Sequence, residues 1–231
     1  AFIRIRLTAH IGPYGPSCWH GACPYICGGA TIINKDPQYI WWNSVIIAKQ
    51  TSMPELPVRH NSLRLQAFDY SAQCCYFITI VTQGCVCRFG TVRDGEPVLH
   101  TPGMMVEEVY RQMLAAFPGM EDVAHVVMPN HIHFFIYNGS SSSITEAIRW
   151  FKSKSTNRYI HGVKENGWPR YDMRLWQTRF YDVIIRNNVA HDFVVNYIFN
   201  NPIRWQYDRL NVDADISHAD NIGEQLRLMN W

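Results

Sequence analysis

No apolar run in this chain approaches the roughly 18 residues that a membrane-crossing helix needs, so bilayer spanning is not expected of it. The first residues, Ala1-Phe2-Ile3-Arg4-Ile5-Arg6, lack the basic segment followed by an apolar stretch that marks a secretory leader. A cytoplasmic location is the expectation. A strong net charge is missing as well: 21 Lys and Arg stand against 19 Asp and Glu, for +2 at pH 7. That balance alone argues neither for nor against a polyanionic partner. The seven cysteines make no even framework, and reduced thiols are expected. Cys18-x4-Cys23-x3-Cys27, with His20 inside it, fits none of the usual zinc spacings and has no second half. Residues 1–60, broken by Gly-Pro turns, lack any sustained period of 2 or 3.6 and stand as an unassigned N-terminal extension.

What is present suffices for a proper core. In 231 residues, 47% are apolar, which suits one large domain or one domain with an appendage. The charge is unevenly spread. Residues 144–210 hold 11 Lys and Arg against 6 Asp and Glu, residues 61–143 hold 4 against 7, and the tail from 211 holds 1 against 4. A basic second half suits a polyanionic substrate, although a solvated helix face explains a modest bias equally well. These shifts divide the chain into an extension, a main domain over 61–210 and a short tail over 211–231.

From Arg64 the texture becomes regular. Cys75 to Thr82 is aromatic and β-branched, which predicts a central strand. Arg88–Thr91 and Pro97–His100 flank an Asp94-Gly95 hairpin signal. Thr101-Pro102 opens a helix with Met105, Val109, Met113 and Leu114 at helical spacing, closed by Phe117-Pro118-Gly119. Val126 to Ile136 reads as strand, interrupted by the turn pair Pro129-Asn130. A second helix is expected from Ile144 to Ile160, ended by His161-Gly162, then a strand over Asp182–Arg186. A last helix is expected from Val189 to Asn200, stopped by Asn201-Pro202. This order predicts an α+β, ferredoxin-like antiparallel sheet with helices packed on one face.

Chemistry concentrates at His131-Ile132-His133. Side chains on a strand alternate, so the two imidazoles share one face and make a two-nitrogen chelate for a divalent cation. The short motif also occurs by chance on ordinary strands. Tyr197 and Asn201, four apart, share one face of the last helix. An amide oxygen is an acceptable ligand for Mg²⁺ or Mn²⁺, and a phenol can attack phosphorus. From the residues alone, a core aromatic and a helix C-cap account for this pair better.

The linked motifs change that balance. Val127-Met-Pro-Asn-His-Ile-His133, Leu175-Trp-Gln-x-Arg-Phe-Tyr181, Ile185-Arg-Asn187 and Tyr197-Ile-x-x-Asn-Pro202, in this order, resemble the REP-associated tyrosine transposases, a branch of the single-tyrosine HUH transposases. Arg64-Leu-x-x-Phe-Asp-Tyr70 and Tyr76-Phe-x-Thr79 resemble the family's opening. The likeness covers about 61 to 205 and leaves the first 60 residues unmatched.

The resemblance implies a metal-dependent nuclease that cuts single-stranded DNA near a hairpin and rejoins it. By it, Tyr197 is the nucleophile, His131 and His133 hold Mg²⁺ or Mn²⁺, and Asn201 sits where a third ligand is expected. Arg149, Lys152, Lys154, Arg158 and Arg179 are the candidates for the phosphate backbone. Trp176 and Phe180 are candidates for stacking on unpaired bases, with a core role as the alternative for Trp176. Tyr159 is a second candidate nucleophile. A relaxase or replication-initiation nuclease and a catalytically silent hairpin-binding module are the competing readings. Beyond DNA, a second copy of the chain in a homodimer is the partner left open.

Overall fold

The computed structural model describes residues 68–214 together with 225, 226 and 228. The Cys18, Cys23 and Cys27 spacing, the 1–60 extension and the Arg64 end of the opening motif lie outside the described residues. In chain order the elements are β1 (Cys75–Val81), β2 (Gly90–Arg93), β3 (Glu96–Leu99), α1 (Thr101–Ala116), β4 (Met120–Val127), β5 (His131–Asn138), α2 (Ile144–Glu165), β6 (Tyr181–Ile185) and α3 (Asn188–Asn200).

Every residue of β1 is buried, so both faces of this strand must be covered. It lies inside a four-stranded antiparallel sheet ordered β4-β5-β1-β6. Residues of alternate parity feed two separate cores. Tyr76, Ile78 and Ile80, beside Ile136, Phe134 and Ile132 of β5, meet α1 and α2. Phe77 and Phe135 lie on the opposite face, where Ala190, Val194 and Ile198 of α3 cover them. The α+β, ferredoxin-like reading holds, with two helices on one face as expected. The last helix adds a layer on the other face, which is the face of Thr79, His131 and His133.

Two boundaries differ from expectation or carry a price in geometry. Helix α2 runs past His161-Gly162 to Glu165. Gly162 stays helical, and the absence of a side chain there admits the Trp168 indole: a Cβ would fall 2.2 Å from the ring. The β2–β3 hairpin forms at Asp94-Gly95, both with positive φ (52° and 74°), as the dipeptide predicts. It makes its own two-stranded sheet, and a Cβ on Gly95 would sit 3.0 Å from Ile203.

One charged cluster braces α1 against β4. His125 Nδ1 lies 2.7 Å from Asp122, and its Nε2 lies 2.9 Å from Glu107. Tyr110 packs against the imidazole at a tilt of 40° and donates to the other Asp122 oxygen at 2.6 Å. Burial disfavours the imidazolium, but the two carboxylates overcome it and raise the His125 pKa to about 9 from 6.5. A raised histidine contributes stability that is full below about pH 6.5 and is lost as pH rises through about 9. Urea midpoints should therefore fall from pH 7 to 9.5 by more in the parent chain than in His125→Gln, a difference on the order of 2 kcal/mol. Parallel pH curves for the two proteins would refute this linkage.

Candidate metal and nucleophile site

Pro129-Asn130 turns β4 into β5 and puts the histidines on the first rungs of a central strand. The turn is held from three sides: Pro129 O accepts from Arg88 N and Phe89 N, at 2.8 and 2.9 Å, and Asn130 O accepts from Thr82 N at 2.8 Å. His131 and His133 are buried at 0% and 2% exposure, and their Nε2 atoms lie 3.0 Å apart.

The partners of Asn130 fix the proton on His131. Its Nδ2 donates to two carbonyls, Cys85 O at 2.8 Å and Leu210 O at 2.6 Å, and carbonyls only accept. The Asn130 Oδ1 therefore faces His131 Nδ1 at 2.8 Å, which must carry the hydrogen. His131 Nε2 is left with a bare lone pair. In the 3.0 Å contact, His133 Nε2–H is then the donor, and Thr79 Oγ1 donates to His133 Nδ1 at 2.8 Å. The Thr79 hydroxyl can reverse its role, so the His133 proton can move to Nδ1 and free both Nε2 atoms for a cation.

Burial drives the His131 pKa down to about 4, against the opposing effects of Asp208 and Asn201. Burial also holds His133 well below its ordinary value, with His131 adding to the effect. Both are neutral at pH 7, the form that ligates metal.

Helix α3 delivers the remaining groups. Asn187 caps its start by accepting from Ala190 N at 2.8 Å, and Ala190, Val194 and Ile198 form the buried stripe. That stripe turns Tyr197 toward the histidines: its ring meets His133 edge-on at 5.3 Å and Phe77 at 6.0 Å. Asn201 is indeed the C-cap residue, and its side chain still enters the site. Its Nδ2 donates to Asp208 Oδ2 at 3.2 Å, while its buried Oδ1 has no hydrogen-bond partner. Asp208 Oδ2 also lies 3.9 Å from His131 Nε2, and Trp205 covers the His131 ring at 5.9 Å. Ligand atoms of His131, His133 and Asp208 all fall within 4.8 Å of one another. Sequence reasoning missed Asp208, because nothing in the irregular stretch after Pro202 marks one acid over another. Thr79 and Asn130 stand inside the motifs that carry the resemblance, but the sequence assigned neither a role at the site.

These donors fit a divalent cation. Two imidazole nitrogens 3.0 Å apart match the spacing of adjacent ligands that each lie about 2.1 Å from one ion. An orphaned buried amide oxygen and a nearby carboxylate supply the hard donors that Mg²⁺ and Mn²⁺ favour.

Other expected site residues are not brought here. Helix α2 lies across the opposite face, so Arg149, Lys152, Lys154 and Arg158 are separated from the histidines by the sheet. Lys152 binds the carbonyls of Gln177 and Thr178, at 2.5 and 3.1 Å, and Arg158 pairs with Glu108 at 2.7 Å. Trp176 is no stacking platform: it is 3% exposed, packs on Phe89 and Phe151, and donates to Ser155 Oγ at 2.8 Å. Tyr159 is fully buried beneath Trp168 and donates to Pro169 O at 3.0 Å, so it cannot reach a phosphate. Arg179 is exposed and lies just before Tyr181, which pairs with Thr79 at the histidine end of the sheet.

Residues 104–201 match the family described as Transposase IS200 like. Over this segment, less than half of the chain, the sequence is similar to the IS200-like transposases. The match contains the histidine pair, Tyr197 and Asn201. A Haemophilus influenzae (strain ATCC 51907 / DSM 11121 / KW20 / Rd) relative described only as an uncharacterized protein is 28% identical over 177 residues, covering 66% of this chain and 93% of its own. Among solved structures, a REP-associated tyrosine transposase bound to a REP hairpin aligns at 21% identity and a TM-score of 0.42, over 58% of this chain and 68% of that one. A candidate transposase from Deinococcus radiodurans r1 aligns at 16% identity and a TM-score of 0.40, over 59% of this chain and 95% of that one. Asp208 lies beyond the end of the IS200-like match. No helix among the described residues is long and apolar enough to cross a membrane.

Proposed function

We propose that this chain cuts and rejoins single-stranded DNA at hairpin-forming sequences, with Tyr197 as nucleophile and His131, His133 and Asn201 as ligands of a divalent cation, Mg²⁺ or Mn²⁺. The observation that supports this best is the convergence of a tyrosine ring on two buried, neutral histidines across the sheet–helix interface. When bound, the cation would polarise the scissile phosphate and offset its charge.

The chain's own residues do the rest. Tyr197 gives up its hydroxyl proton, and its phenolate oxygen forms a bond to phosphorus. The bond from phosphorus to the 3′ oxygen breaks, and that oxygen takes a proton. A 5′-phosphotyrosine and a free 3′ hydroxyl result. One phosphodiester replaces another, so attack by a different 3′ hydroxyl reverses the step with little change in bond energy. Asn130 and Thr79 hold the imidazoles in orientation, and Trp205 limits water above His131.

Arg179 is the best placed of the candidate cations to meet the strand that enters the site. Arg149 and Lys154, exposed on α2, suit DNA held on the far side of the sheet. All four site side chains come from one chain, so a homodimer is not required for the chemistry.

The test is incubation of the protein with labelled single-stranded hairpin DNA and Mn²⁺, followed by a denaturing gel. A covalent protein–DNA band that EDTA suppresses is expected. Cleavage without any covalent intermediate would overturn the phosphotyrosine mechanism.

A further inference from the structure

Asp208 has a carboxylate placed where a structural aspartate has little reason to be. Its Oδ1 is engaged conventionally, accepting from Leu210 N at 2.8 Å within its own turn. Its Oδ2 points inward, with the side chain only 8% exposed, and meets Asn201 Nδ2 at 3.2 Å. Beyond that amide it faces His131 Nε2 across 3.9 Å. This gap is too long for a hydrogen bond. It also has no proton to fill it, because the bonds of Asn130 force the His131 hydrogen onto Nδ1. The one lone pair of His131 Nε2 accepts from His133 Nε2–H at 3.0 Å, and Asp208 Oδ2 lies beside that contact together with an Asn201 Oδ1 that has no hydrogen-bond partner.

When the His133 proton moves to Nδ1, both Nε2 lone pairs, the Asp208 carboxylate oxygen and the Asn201 amide oxygen are acceptors around one buried space, which a positive charge would satisfy. Ligands each about 2.1 Å from one ion lie between about 3 and 4.2 Å apart, and the 3.9 Å gap falls in that span. We infer that Asp208 is an additional, anionic ligand of the cation, and that it ties the segment after Pro202 to the sheet when metal is bound. The inference rests on the metal-site reading above and goes beyond it. Two imidazoles and an amide are all neutral, and a hard cation gains most from a carboxylate oxygen. The same segment carries Trp205 over His131 and returns Leu210 O to Asn130. Metal binding is thus coupled to the order of residues 202–211.

Asp208→Asn keeps the size of the side chain and the acceptor for Leu210 N while removing the charge. Isothermal titration of the full chain with Mn²⁺ alone, with no DNA, should show at least tenfold weaker binding for this variant. Asp213→Asn, whose position is exposed, should bind as the parent does. A metal-free thermal midpoint within a few degrees of the parent would show that the fold is kept. Limited proteolysis should find residues 202–211 protected by Mn²⁺ in the parent and not in Asp208→Asn. Unchanged or tighter Mn²⁺ binding by Asp208→Asn, in a preparation where His131→Ala abolishes it, would overturn the inference and leave the histidine site standing. Equal Mn²⁺ binding by the parent, Asp208→Asn and His131→Ala would overturn both.

Discussion

Tyr197→Phe should bind hairpin DNA and Mn²⁺ as the parent chain does and yet form no covalent adduct, with cleavage reduced by on the order of a thousandfold or more. The expectation follows from where the ring sits. Its contacts with Phe77 and His133 are made by the aromatic face and edge, and phenylalanine keeps both. Only the hydroxyl is lost, and with it the atom that the proposed mechanism joins to phosphorus. Tyr159→Phe is the informative control. It forfeits a hydrogen bond to Pro169 O, which costs about 1 kcal/mol of stability, and should retain the adduct. Mass spectrometry of the adduct peptide decides the matter: recovery of a DNA-linked peptide that lacks Tyr197 would refute the assignment.

His131→Ala and His133→Ala should each lower cleavage by on the order of a thousandfold while leaving most hairpin binding, since in the proposed mechanism the cation would organise the scissile phosphate and supply few of the backbone contacts. Stability should fall moderately. Removing the His131 ring strands Asn130 Oδ1, and removing His133 strands the Thr79 hydroxyl, at about 1 to 3 kcal/mol each. Circular dichroism at room temperature should still report the native fold. Wild-type cleavage by either variant in the presence of EDTA would exclude the metal site.

The order of strands and helices was readable because the local signals agree with the global fold. Asp94-Gly95 makes the hairpin, Thr101-Pro102 starts α1, and Pro129-Asn130 precedes the histidine strand, each for a reason confined to a few residues. The side of the sheet on which α3 packs was not readable. Ala190, Val194 and Ile198 announce an apolar stripe but not the surface that receives it. Strand parity assigns the receiving surface only once β1 and β5 are paired in register. Trp176 shows the same limit from the other direction: the motif around it points to chemistry, while its indole is spent on a hydrogen bond to Ser155 within the core. The 3.6 period also could not show that Trp168 packs over Gly162, because that contact joins two segments. Asp208 was hidden for the same reason, since its meaning depends on the distances to His131 and Asn201.

The β2–β3 hairpin acts as a ruler. Its base is anchored where His100 N meets Phe89 O at 2.8 Å, and its tip stops against Ile203, in the segment that leads to Asp208. Surface hairpins ordinarily accept extra residues at their turns, because lengthening a loop costs little entropy. Here a Cβ on Gly95 would already sit 3.0 Å from Ile203, so residues added toward that side of Asp94-Gly95 would press on the chain that leads to the carboxylate. Variation in hairpin length, harmless in most folds, would here be read out at the proposed metal site.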